Sequence, residues 1–587
     1  MGSASILTKL SRRYEWLTPL ILSISPRLPE RLKSIGVRIY PEAYIGMLGF
    51  WLLVSMITSV IISVLLLIAQ IGLLVALIAM CIPFIIFVLL LTYPSIIASN
   101  IKSKLESEFP YASFYMAVMI SGGTHPFTSL SRLDRIGLTP TIGKVSRMID
   151  ISTKAWWLDP ISSTEHIATI LPQRDLSELL KGYASTVRSG GDVVSYFKRR
   201  AELIFDLFEL KINALIERFS IYMEAYLAAS VLLALGFYMM FMVSRTLRVG
   251  AEFLSIEAFF SFSYLLLPLI SVIFLYLADI SQIKYPYYDM RPYRVLLISI
   301  IPSSIVLIAL LAPYISPELS LIFSPVNVFK YILIDYFGIS RGFDLAISIA
   351  VSLIVLFIPP AIVEIKISRY ESSVFKGAVQ FMREVVEIRK TGLNPEKAII
   401  ELSGKNYGRF NKILKIIANK LAWGASLLSI YNYLEGRIRS WLTKISLFTF
   451  FDSIEVGGGT PETLDIMSSF NERLLAIEQK RRSSMRPLVI IPYIGAILLA
   501  FTSIALLGYM KESLLLAGRT LEFDQFLRTF LPPIVINAAM MGLVAGKLSE
   551  ESVAAGFKHS VLILFIMILT FLLSPYVMSI FTVIGAT

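Results

Sequence analysis

Three things are scarce in this chain of 587 residues, and each scarcity removes a class of protein. Cysteine occurs once, at Cys81, so no intramolecular disulfide and no multi-cysteine metal site can form. Histidine occurs three times, at His125, His166 and His559, far apart and without the short spacing that puts two ligands on one helix face. No metal and no cofactor are therefore expected. Charged residues make up only 16%, against roughly a quarter in ordinary globular proteins. With 56% hydrophobic residues and a mean hydropathy of +0.72, a soluble enzyme is excluded. The net charge of +12 would suit nucleic acid, but basic loops that fix membrane orientation explain it first, and no nucleic-acid partner is expected. The start of the chain misses the myristoylation pattern, because Ile6 stands where Ser or Thr is needed. The short apolar stretch 17–24 is broken by Pro19 and makes a poor signal peptide.

What the chain has in abundance is long apolar runs. Nine stretches approach the roughly 20 residues that cross a hydrocarbon core. Spans one to nine are 44–69, 71–97, 221–243, 258–280, 292–313, 343–363, 488–509, 526–546 and 559–583. Residues 98–220 and 364–487 remain as two long polar segments of nearly equal length. The expected organisation is a cytoplasmic N-terminal segment 1–43, spans one and two in 44–97 and a first cytoplasmic helical domain 98–220. Spans three to six follow in 221–363, then a second cytoplasmic helical domain 364–487 and spans seven to nine in 488–583. With the N-terminus inside, 47 Lys and Arg residues lie on the cytoplasmic side and 7 outside. That imbalance orients the chain with its N-terminus cytoplasmic and its C-terminus extracytoplasmic. The fold class is an all-α polytopic membrane protein with about nine transmembrane helices and two cytoplasmic helical bundles.

The polar segments show apolar residues at helical spacing, as in 375–388 and 413–421. Each contains two glycine-centred breaks, at Gly122-Gly123 and Gly190-Gly191 in the first, and at Gly392 and Gly457-Gly458-Gly459 in the second. Glycine supplies the left-handed residue that ends one helix, Thr, Asn or Asp caps the next, and Pro fits its first turn. Two helical hairpins per domain are expected. One offset, about 268 residues, separates Gly122 from Gly392 and Gly190 from Gly458 to within a few positions, and that recurrence marks an internal repeat. The starts of spans three and four stand the same distance before those of spans seven and eight. The chain is thus one unit written twice, two spans, a helical domain and two spans, followed by a ninth span.

With these four glycine turns, and with the stretch from Pro532 through Asn537, Gly542 and Gly546 to Glu550, the sequence resembles the type II secretion F-type platform family. It is most similar to the archaeal branch that serves type IV pili and the archaellum. The first copy departs from the pattern, since Asp192 is not followed by Pro and span four lacks the Gly542–Gly546 pair. The resemblance implies a non-enzymatic platform in the cell membrane. It would receive motion from a hexameric cytosolic secretion ATPase and pass it to prepilin subunits that enter a filament. A homodimer and contacts with membrane lipids are also expected.

Chemistry of the chain's own finds little support. Gly137–Lys144 has the wrong glycine spacing for a phosphate-binding loop, with Val145 where Ser or Thr should bind magnesium. Asp344, after Gly342-Phe343, has no second aspartate with which to share a proton, as an intramembrane aspartyl protease requires. The main alternative, a polytopic membrane transporter or secretion channel, needs more intramembrane polar residues than Glu224 in span three, whose simpler reading is a pair with Arg218. Candidate ATPase-facing residues are Gly392 and Gly458 at hairpin tips and the basic cluster Lys480, Arg481, Arg482. Glu224, Asn537, Gly542 and Gly546 are candidates for helix packing or for contact with prepilins. The basic excess is larger in the second domain than in the first, which makes the second the expected ATPase side.

Overall fold

The computed structural model describes residues 18–24, 26, 28, 41–68, 73–156, 159–247, 255–287, 289–315, 342–457, 459–516 and 523–578. The protein is all α, with no strand among the described residues. Seven helices in it are long and apolar enough to cross a membrane, and they cover spans three to nine. Spans one and two fall on the helices Pro41–Ile68 and Leu73–Ser121, of 28 and 49 residues; the side chain of Cys81 lies outside the described residues.

The chain divides into two compact units, one of Met1–Phe205, Ile283–Pro286 and Asp452–Thr463, the other of Asp206–Gln282, Tyr287–Phe451 and Leu464–Thr587. One long helix, Phe343–Lys390 of 48 residues, runs without a break from membrane span into polar domain, whereas Pro461–Met485 passes through a 3-10 turn at Arg486–Val489 before span seven, Ile490–Leu516. Pro359 and Pro360 sit inside the first of these. Span three is interrupted by a π-helical turn at Ala228–Leu232 and span four by another at Ser261–Leu266, a geometry that re-aims the side chains following it.

Each polar segment folds as six helices rather than the two hairpins expected. The first comprises the end of Leu73–Ser121, then Pro126–Ile136, Pro140–Trp156, Pro160–Ile170 and Arg174–Arg188, and the start of Val193–Leu227. The second comprises the end of Phe343–Lys390, then Pro395–Leu402, Asn411–Ala422, Leu427–Glu435 and Trp441–Gly457, and the start of Pro461–Met485. The extra breaks have the same cause as the four anticipated ones: Gly137 and Gly424 are left-handed, at φ 70° and 78°, and Pro140 and Pro160 each occupy a first turn.

The duplication is sharper in the backbone than in the sequence. The left-handed glycines of the expected turns are Gly123 and Gly190 in the first copy and Gly392 and Gly459 in the second, and the two pairs share one identical offset. The caps match as well. His125 and Asn394 each accept from the backbone N–H two residues on, and they stand apart by that same offset. Asp159 and Ser426 cap the middle helices, and Asp192 and Thr460 the last ones, in each case one repeat apart to within two positions. His125, rather than the preceding Thr124, is the cap, and the buried Thr124 hydroxyl has no hydrogen-bond partner among the described residues.

Candidate functional site

Within the first unit, two buried acids hold helices together. Glu108 accepts from the backbone N–H groups of Thr141 and Ile142 and from the Thr141 hydroxyl, all at 2.8–2.9 Å, and so closes the N-terminus of Pro140–Trp156 from a distant helix. Burial pushes its carboxyl up, against these hydrogen bonds. Asp452 is 1% exposed, accepts from the Tyr115 hydroxyl at 2.6 Å and pairs with Arg132. Sequence reasoning passed over Asp452, although an acid flanked by phenylalanines in 447–454 was a signal that it must find a buried partner.

Within the second unit, counterparts from the two copies meet directly. Arg473 pairs with Asp206, which stands one repeat earlier, and Lys547 pairs at 2.7 Å with Asp279, again one repeat earlier. A Cβ on Gly495 would stand 2.9 Å from the side chain of Leu227, its own counterpart in the first copy. Identical residues at these positions would set like charge against like. Divergence of the copies has instead placed opposite charges, and a glycine against a leucine.

The basic cluster of the second domain does not present one exposed face. Lys480 reaches Glu209 at 3.1 Å. Arg481 is only 8% exposed and is held between Glu478, at 2.7 Å, and Glu551. Arg481 is therefore corrected from docking residue to internal strut, because its helix ends against the turn between spans eight and nine. Glu551 has a positive φ of 57°, unusual for a side-chain-bearing residue, and burial pushes its carboxyl up. Beside this turn Lys558 pairs with Glu550 at 2.6 Å, and Tyr493 hydrogen-bonds His559 at 3.0 Å. Arg482 is exposed.

The remaining candidates are dispersed. Gly392 is left-handed with open space around it, whereas Gly458 lies outside the described residues. Glu224 is exposed on the helix surface and accepts weakly from Ser220 at 3.4 Å rather than pairing with Arg218. Asn537 is fully buried; its carbonyl oxygen accepts from Ser230 at 3.4 Å in the π-helical turn of span three, and its amide nitrogen has no hydrogen-bond partner among the described residues. Gly542 and Gly546 press span eight onto the last helix: a Cβ on either would overlap the backbone of Ser560 or Gly556. Asp344, which looked isolated in sequence, lies 3.5 Å from Arg528. Among the described residues no group of three or more His, Cys, Asp or Glu side chains is placed to hold a metal.

Comparison with known proteins agrees with the duplication. Residues 112–241 and 381–508 each match the family of type II secretion system protein F. Both stretches begin in the helix that leads into a polar domain and end in the span that leaves it. The uncharacterized protein MJ1286 of Methanocaldococcus jannaschii is 23% identical over 518 residues, which are 82% of either chain. No solved structure matches the chain.

Proposed function

Because the chain is a multi-pass membrane protein that carries the type II secretion protein F domain twice, we propose that it is the membrane platform of an archaeal type IV pilus-like filament. It couples a hexameric cytosolic secretion ATPase to the lifting of prepilins into the filament, with its N-terminus in the cytoplasm, and catalyses no reaction itself. One observation carries the reading: the second matched domain is joined to span six by a helix that does not break at the domain boundary, Phe343–Lys390. A continuous helix moves as a rod, so a push on the bundle displaces the span to which it is fused. The helix leading to span seven, Pro461–Met485, is tied to the turn after span eight through Arg481 and Glu551.

A transporter or channel requires a polar path through the spans. Interior hydroxyls instead pair locally, Tyr226 with Ser271 at 3.0 Å and Ser303 with Ser352 at 3.2 Å, and the spans are otherwise mostly apolar. Deletion of the gene tests the reading: loss of surface filaments, with prepilins accumulating in the membrane, is expected. Normal filaments together with loss of uptake or export of a solute would reject it.

A further inference from the structure

The hairpin Asn411–Ala422 to Leu427–Glu435 carries a surface that the candidate residues above do not include. Residues 405–439 hold seven basic residues, Lys405, Arg409, Lys412, Lys415, Lys420, Arg437 and Arg439, against one acid, Glu435. Lys412, Lys415 and Trp423 recur at helical spacing, which sets them along one side of the first helix and the turn that ends it. Trp423, next to the left-handed Gly424, is 91% exposed. Beside it, Lys420 and Arg437 both lie over the ring of Tyr433, at 4.0 and 4.3 Å from its centre. None of Lys412, Lys415, Lys420 and Arg437 takes part in an ion pair among the described residues.

The first copy supplies the control. Lys144 and Arg147 are the counterparts of Lys412 and Lys415, one repeat earlier, but residues 137–171 hold three acids to three bases. There most of the charges are answered internally: Arg147 pairs with Asp134 at 2.9 Å, Lys154 with Asp150 at 2.7 Å and Arg188 with Glu165 at 2.8 Å, while Lys144 takes part in no ion pair among the described residues. Glu165 occupies, at the same offset, the position of Tyr433. Both copies keep the basic side of the helix; only the second adds Lys420, Arg437 and an exposed tryptophan, where the first has Ser152, Thr169 and Ala155.

We propose that this Trp423-tipped hairpin is the docking surface for an acidic protein face bearing an apolar pocket that admits the indole. Tryptophan, tyrosine and arginine are the residues that dominate binding energy at protein interfaces, and unpaired cations steer and select an acidic partner. Two exposed aromatic side chains are too few to anchor a hairpin in a bilayer, whose interfacial helices present a whole apolar face. The identity of the partner as the secretion ATPase rests on the platform reading above, and the surface shifts its docking from Lys480–Arg482 to this hairpin.

The test uses the full chain in nanodiscs of uncharged phosphatidylcholine, with the organism's purified secretion ATPase as the probe. Trp423→Ala should weaken binding about thirtyfold, as for an interface hot spot, and the triple reversal Lys412→Glu, Lys415→Glu, Lys420→Glu should weaken it further. The first-copy reversal Lys144→Glu, Arg147→Glu should leave binding within a factor of about two, since surface charges remote from an interface contribute little. Equal binding by wild type and both hairpin variants overturns the docking surface and leaves the platform reading standing. No binding by the wild type overturns the platform reading itself. Unchanged ATPase binding with lost adhesion to phosphatidylglycerol vesicles would reassign the hairpin to lipid. Trp423 is so exposed that its removal should not disturb folding, and an unaltered elution profile checks this.

Discussion

The stretch 405–439 of the second helical domain carries seven basic residues and one acid, whereas its counterpart 137–171 in the first carries three of each. The membrane halves differ too. Span eight has Gly542 and Gly546, where span four, one repeat earlier, has Phe274 and Ala278. Both differences have a local physical cause. The glycine pair admits the backbone of the last helix, Val553–Leu572, onto span eight, whereas span four, although span five follows it at the same offset, carries no glycine pair. Arg147 and Lys154 of the first stretch are answered by neighbouring acids; in the second Lys405 pairs with Glu384 at 2.8 Å, but Lys412, Lys415, Lys420 and Arg437 take part in no ion pair among the described residues. Duplication therefore leaves the scaffold common, with its glycine turns and helix caps in register, and lets each copy specialise at the surfaces it covers or leaves open.

The largest effect should come from closing the space unique to the second copy. Gly546→Leu drives a side chain into the backbone of Gly556, where overpacking costs about 3 kcal/mol or more. Little folded protein should be recovered from membranes. The corresponding Ala278→Gly in span four should cost about 1 kcal/mol, read as a small drop in the melting temperature of the detergent-solubilised protein. Comparable losses at both sites would erase the distinction between the spans.

Next comes the pair that joins the copies. Asp279→Lys sets a second cation against Lys547, which is 3% exposed, and because Asp279 itself is 44% exposed the loss should be about 1–3 kcal/mol. Adding Lys547→Asp reverses the pair and should restore most of the loss. A double variant no better than the single one would show that the two residues do not act together.

Gly123→Val and Gly392→Val probe the matched turns. Neither meets a neighbouring atom, so the cost is the left-handed backbone alone, about 1–2 kcal/mol in each. Thermal unfolding should show equal losses, while filament counts should fall in Gly392→Val only, if the second copy faces the ATPase. Equal piliation defects would make the tips equivalent.

The smallest effect is one of pH. Asp159 and Asp192 cap helices in the first domain, and their hydrogen bonds to Ser162 and Ser195 hold both carboxyls below the usual range. With the folded value depressed, the stabilisation is present above the unfolded value near 4 and is lost as pH falls through the folded one. Their counterparts Ser426 and Thr460 do not titrate. Hydrogen exchange between about pH 5 and pH 3 should therefore loosen 159–188 and 192–205 ahead of 426–435 and 460–485. Simultaneous loosening would remove the caps as its cause.

Much of the fold was legible because it depends on short-range chemistry. Run length located the spans, and glycine followed by a capping residue and proline located the turns, although the weaker breaks at Gly137 and Gly424 were missed among them. Side-chain roles were less legible because their partners lie far along the chain. Lys480, Arg481 and Arg482 look alike in sequence, yet Arg481 is buried by Glu551, 70 residues on. The spacing of Gly542 and Gly546 announced a close contact without saying that the last span makes it. The unpaired state of Lys412 and Lys415 depends on which acids fold beside them, and that is absent from any local pattern.

The rate of ATP hydrolysis by the purified secretion ATPase, measured with and without the full chain in nanodiscs, tests the platform most directly. The chain alone should hydrolyse no ATP and should raise the rate of the ATPase when present. Hydrolysis by the chain alone, or a rate indifferent to the chain, would contradict the role proposed for it.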